Sequence, residues 1–202
     1  MKQQEIIDWF KQHDIEDIEV IVPDMAGVAR GKMLLAEKFL EQPAMRLPES
    51  VFVQTVTGEY LHEPLINPAD RDILVKPDMD TLRVLPWAKD STATVINDCY
   101  YEDGSAVDIS PRQVLRNILK VYQEKNMVPM VAPELEFYLV KRNTDPTVPL
   151  EPPIGRSGRQ ETVRQPFSID ALDEFEPVIE DIYQYADSMG IKIDTLEHEM
   201  GT

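Results

Sequence analysis

Apolar residues recur along the chain first at helical spacing, then in alternation. Ile6, Ile7 and Phe10 fall on one face of a short amphipathic helix running from Glu5 to about His13. "DIEVIVPD" then predicts a strand that ends in a turn at Pro23–Asp24, and "VARGKMLL" its antiparallel return. "MAG" between them, with Gly27, is hairpin material, longer than the tightest two-residue loops. "AEKFLEQ" predicts a helical turn or two. From Ser50 to Tyr101 the segments "VFVQTVTG", "DILVKPD", "TLRVLPW" and "TATVINDCYY" predict a mostly β block, closed by a turn at "EDGS".

A boundary is expected near residue 108. In "ISPRQVLRNILKVYQEKN", Ser110 stands as N-cap with Pro111 at the first helical position and Gln113 completing a capping box. Val114, Leu115, Ile118, Leu119 and Tyr122 form the stripe expected to be buried. "VPMVAPELEFYLV" reads as the next strand. A long Pro- and Arg-bearing loop follows, of a length that is often functional. A helix over roughly Leu172–Met189 ends at Gly190, with Pro177 tolerated in its first turns, and "IKIDTLEHEM" predicts a last strand. Strand–helix–strand order makes this second block α/β.

Composition adds exclusions. The chain has 202 residues, enough for a real core in one domain or two, and no apolar run nears the roughly 20 residues needed to span a bilayer. A net charge of −17, spread along the chain, argues against nucleic acid and anionic membranes as partners. A single cysteine, Cys99, excludes an internal disulfide framework and suits a cytoplasmic protein. It reads as a small buried residue rather than a nucleophile.

The candidate chemistry lies in acids at the ends of apolar strands. Alternation places Glu134 and Glu136 of "VAPELEFYLV" on one face, about 7 Å apart. That spacing suits either a solvated face or oxygen ligands for hard divalent cations such as Mg²⁺ and Mn²⁺. Glu197 and Glu199 repeat the pattern in the last strand, with His198 on the opposite face. Asp24 sits at the hairpin, where Asp commonly caps its own turn, and Arg30 and Lys32 follow on the return strand. Arg156, Arg159 and Arg164 of the long loop could reach phosphate, but no P-loop and no G-x-G-x-x-G occurs.

Several motifs together resemble the N-terminal part of the glutamine synthetase family, from about residue 18 to the last residue. They are "DMAG" followed by "RGK", "TLRVLPW" with "ATVINDC", "YEDGSAVDISPRQVL", "PELEFYL" and "LEHEMGT". "GRSGRQETVRQPFSID" looks like the branch that joins glutamate to polyamines, as γ-glutamylputrescine synthetase does. The resemblance implies an α+β chain: a β-grasp-like N-terminal domain over 1–108, then the truncated start of the α/β catalytic domain over 109–202. It implies a ligase that uses ATP to phosphorylate the γ-carboxylate of glutamate and transfers the acyl group to ammonia or a polyamine such as putrescine. It further implies self-association into rings and two divalent ions, Mg²⁺ or Mn²⁺. Glu134 would ligand the ion nearer the ATP phosphates, and Glu136 and Glu199 the other. Asp24 would reach an adjacent subunit's amine pocket as a catalytic residue. Glu197 matches no family metal position.

The resemblance covers only part of the family's catalytic domain. The second-metal His, a further Glu and the glutamate-binding Arg lie further on in family members, so the chain by itself is expected to be inactive. The alternative is a catalytically dead relative that serves as a binding or assembly module.

Overall fold

A computed structural model describes residues 1–60 and 69–200. Residues 61–68 of the expected β block, and the last two residues of "LEHEMGT", lie outside the described residues. Contacts divide the chain into two compact units, Met1–Met130 and Val131–Thr202.

The first unit is a mixed sheet with helices against it. Its strands are β1 (Asp17–Pro23), β2 (Ala29–Leu35), β3 (Met45–Pro48), β4 (Asp72–Pro77), β5 (Arg83–Val84) and β6 (Thr92–Tyr100). They lie in the order β2-β1-β6-β4-β3, with β5 also paired to β6. The β1–β2 hairpin is antiparallel, as its alternation predicts, with Pro23 opposite Ala29. β1 and β6 run parallel, Asp17 opposite Thr92, and the other pairings are antiparallel. Alternation decides which side of β1 faces inward: Ile18, Val20 and Val22 are fully buried while their neighbours are partly exposed.

Helices α1 (Gln3–Gln12) and α2 (Ala36–Glu41) bring Phe10 and Phe39 together in a stack at 5.7 Å. These rings close a core with Ile15, Ile18, Val20, Leu82, Ala93 and Val95. A second core gathers Val22, Leu47, Phe52, Ile73, Val75, Cys99 and Val107. Part of "VFVQTVTG" departs from the expected strand. Glu49–Val53 is a 3₁₀ turn whose five residues are all buried, so its apolar run reflects burial rather than a sheet.

Helix α3 (Pro111–Glu124) begins with Pro at its first turn, as expected, but no capping box forms. Ser110 is the N-cap residue, as expected, but it is 2% exposed and its side chain makes no capping bond, and the Gln113 amide instead donates to Asn117 at 2.9 Å. The stripe expected to be buried is exposed, including Val114, Leu115, Ile118 and Leu119. The face that meets the sheet carries arginines instead.

In the second unit, α4 (Ile169–Asp173) and α5 (Glu176–Ser188) replace the single expected helix, with Pro177 in the first turn of α5. Gly190 follows at φ 71°, the left-handed conformation that ends helices. The expected strands at 128–140 and 191–200 have no ladder partner among the described residues and are not strands. Alternation gave their pattern; a strand exists only where its backbone groups find partners. Among the described residues, no helix is long and apolar enough to cross a membrane.

Candidate functional site

Asp24 occupies the turn that joins β1 to β2. Its N–H donates to the Val28 carbonyl at 3.0 Å, and the Gly27 N–H returns to the Asp24 carbonyl at 3.2 Å. Gly27 supplies the positive φ of 78° that the turn requires. The Asp24 side chain is fully buried: Oδ1 accepts the N–H groups of Ala26 and Val28, and Oδ2 accepts Arg30 Nε, each at 2.8 Å. A second Arg30 nitrogen donates to the Thr55 carbonyl at 3.4 Å. Burial pushes the carboxyl upward, but Arg30 and the two amides outweigh it and hold Asp24 below the ordinary carboxylate range. As it stands, Asp24 is an ionised anchor of its own turn, with its oxygens already engaged.

Glu134, Glu136 and Glu199 all belong to the second unit, and all three are exposed. Their neighbours Val131, Leu135 and Tyr138 are exposed as well. Glu199 makes one local contact, accepting the Met200 N–H at 3.3 Å. Among the described residues, no group of three His, Cys, Asp or Glu side chains is placed to hold a metal ion. The donors have the oxygen chemistry of a hard-cation site, but the arrangement does not gather them into one.

Two pairings that the sequence did not suggest lie close by. His198 Nε2 meets Glu161 Oε1 at 2.5 Å, and the Phe167 N–H donates to the His198 carbonyl at 2.7 Å. The residues of the first pair are 37 positions apart, so no local spacing announces it. Arg156, one of the loop arginines that could reach phosphate, pairs with Glu176 at 2.7 Å and Asp173 at 3.9 Å.

The first unit holds a polar cluster built around one buried acid. Glu49, 1% exposed, receives two bonds from Arg71 at 3.0 and 3.3 Å and one from the Tyr101 hydroxyl at 2.7 Å. Arg71 also lies over the Tyr101 ring, 3.8 Å from its centre. Burial and the Glu49 charge push the Tyr101 hydroxyl above its ordinary value. An open cavity of about 420 Å³ adjoins this cluster, lined by Arg46, Arg71, Asp72, Tyr101, Glu102 and Asp103. Cys99 is buried and its thiol is pushed up to about 12, as an inert core residue would be.

The sequence profile of the glutamine synthetase catalytic domain matches residues 108–202, the stretch that carries Glu134, Glu136 and Glu199. Residues 108–202 belong to the glutamine synthetase catalytic-domain family. It is 29% identical over 178 residues to γ-glutamylputrescine synthetase PuuA of Escherichia coli, covering 84% of this chain and 37% of PuuA. It is 30% identical over 139 residues to a glutamate–isopropylamine ligase of Pseudomonas, covering 66% of this chain and 30% of that enzyme. With the glutamine synthetase of Methanocaldococcus jannaschii it shares 27% over 208 residues, covering 99% of this chain and 43% of the relative. The chain thus spans about two-fifths or less of the length of these ligases. Its fold resembles a GmaS/ADP complex with a TM-score of 0.67 at 20% identity, covering 96% of this chain and 41% of GmaS.

Proposed function

We propose that this glutamine synthetase family chain is the N-terminal portion of an ATP-dependent ligase that joins the γ-carboxylate of glutamate to an amine. The profile match over 108–202 carries the reading, because it spans "PELEF" and "LEHEM" in family order. In this reaction ATP phosphorylates the γ-carboxylate, and the amine attacks the acyl phosphate and expels inorganic phosphate. The likenesses to PuuA and to the isopropylamine ligase support a carbon-bearing amine such as putrescine over ammonia.

Residues 1–108 form the β-grasp-like domain in this reading, and 109–202 begin the catalytic domain. Glu134, Glu136 and Glu199 are the carboxylates offered to two divalent ions, Mg²⁺ or Mn²⁺. Among the described residues these carboxylates are dispersed and do not by themselves form an ion site. Asp24 serves a neighbouring subunit's amine pocket in a ring. Its engagement with Arg30 requires that it either exchange partners or act through the ion pair.

Phosphate release by the full-length protein, followed with ATP, glutamate and a panel of ammonia, isopropylamine and putrescine, tests the proposal. Release that requires both glutamate and an amine is the expected result. Release that ignores glutamate overturns it. A second reading, a catalytically dead binding or assembly module, draws on the dispersal of the three carboxylates. It predicts no amine-dependent turnover from the full-length protein.

A further inference from the structure

Helix α3 is the first helix of the stretch that matches the catalytic domain, and it lies on a sheet built from residues before that stretch. What holds it there is unusual. No residue of α3 is buried. Arg112 and Arg116, one helical turn apart, face the sheet together and bracket two acids. Arg112 donates to Asp98 at 2.9 Å and to Asp78. Arg116 meets Asp98 at 2.5 Å and Asp78 at 3.7 Å.

The acids come from separate elements that the sheet brings side by side. Asp98 lies on β6, opposite Lys76 of β4, and Asp78 begins the turn just after β4. The Asp78 N–H donates to the Ile96 carbonyl of β6 at 2.9 Å, which fixes that turn to the strand. All four side chains are partly shielded, from 15% exposed at Asp98 to 43% at Arg116. Apolar contact does not compete for the role, because Val114, Leu115, Ile118 and Leu119 are turned to solvent.

We propose that Arg112, Arg116, Asp78 and Asp98 form an ionic latch that docks α3 on the sheet, sets its rotation and lets it release as a unit. Two arginines on two acids define a rotation, which a single ion pair would not. A helix held by charge responds to screening, whereas one held by apolar contact does not. The latch is therefore a conformational joint between the sheet and the first element of the catalytic stretch. The burial of Asp98 works against its charge, and Arg116 and Arg112 together restore it, so the acid depends on the helix as the helix depends on it.

Hydrogen exchange on the 202-residue chain, kept dilute enough to sediment as a monomer at both salt concentrations and read by peptide mass, tests the latch. Raising NaCl from about 0.1 M to about 1 M shortens the screening length from about 10 Å to about 3 Å. Peptides of α3 are expected to exchange about fivefold faster at the higher salt, while peptides of β1 and β6 stay within about twofold. Asp98→Asn is expected to give the fast α3 rate already at low salt and to remove most of the salt dependence. Exchange of α3 that ignores salt, or that stays in step with β6 at both salts, overturns the proposal. The salt comparison needs no substitution, so it decides even if Asp98→Asn fails to fold.

Discussion

Arg30 holds Asp24 inside its own turn, Nε to Oδ2 at 2.8 Å, with the carboxylate sealed from solvent. The interaction has a definite pH signature. The folded value of Asp24 is depressed, so its contribution to stability is present above the ordinary carboxylate value, about 4, and is lost as pH falls through the lower folded value. Asp24→Asn is expected to cost about 2 kcal/mol near neutrality, for the lost charge-assisted bonds. Urea unfolding of both proteins should show that difference constant above about pH 5 and shrinking in strong acid. A difference unchanged from neutral pH to about pH 2 would mean that the ion pair contributes nothing.

The Glu49–Arg71–Tyr101 cluster and the Arg46–Glu102 pair contrast an ion pair with one buried partner and an ion pair with none, within one cavity rim. Glu49→Ala is expected to destabilise the chain by about 1–2 kcal/mol, through the lost bonds from the Tyr101 hydroxyl and from Arg71, which is left half-exposed to water. Arg71→Ala should also destabilise, because it strands the Glu49 charge. Arg46→Ala, whose pair with Glu102 lies open to water, should change little. Denaturant midpoints for the three variants check that order. Equal midpoints for Arg71→Ala and Arg46→Ala would contradict it.

Glycines of the hairpin divide in the same manner. A Cβ on Gly31 would strike the carbonyl of Val20 on the paired strand, a backbone contact with no flexible end to give way. Gly31→Ala is expected to cost about 3 kcal/mol or more, through displacement of the β1–β2 ladder. At Gly27 the space is open and only the positive φ opposes a side chain, so Gly27→Ala should cost about 1 kcal/mol. Thermal melts of the two variants give the comparison, and a larger loss at Gly27 would refute the packing argument.

The hairpin was legible because the β1 alternation, the Asp24–Gly27 turn residues and the return strand all favour the same local structure. The stretch at 128–140 shows why other parts were not. Alternation marks a segment as able to pair, yet says nothing of which backbone will meet it, and Leu135 ends 89% exposed. The α3 pattern misled differently. Val114, Leu115, Ile118 and Leu119 have the spacing of a buried face, but Arg112 and Arg116 found acids first, and those acids lie 14 or more positions away. Among candidate site residues, the oxygen chemistry of Glu134, Glu136 and Glu199 could be read from residue type. Their convergence depends on how distant segments assemble, which spacing does not encode.

Exposed apolar surface sets the last expectation. Val114, Leu115, Ile118 and Leu119 form a continuous helical stripe in the first unit. Val131, Leu135, Phe137 and Tyr138 lie exposed in the segment at 128–140 of the second. Scattered apolar residues on a surface need no explanation, but stripes of this kind drive association. The 202-residue chain should therefore self-associate at micromolar concentrations, seen as a sedimentation coefficient that rises with loading. Its net charge of −17 opposes this at low salt, so association should strengthen as salt is raised. Replacing both Leu115 and Ile118 with Glu adds charge in the middle of the α3 stripe and leaves the arginine face untouched. If the stripe drives association, that variant sediments more slowly at every salt concentration. If it sediments like the parent, the contacts lie elsewhere, and the unpaired segment at 128–140 becomes the surface to substitute next.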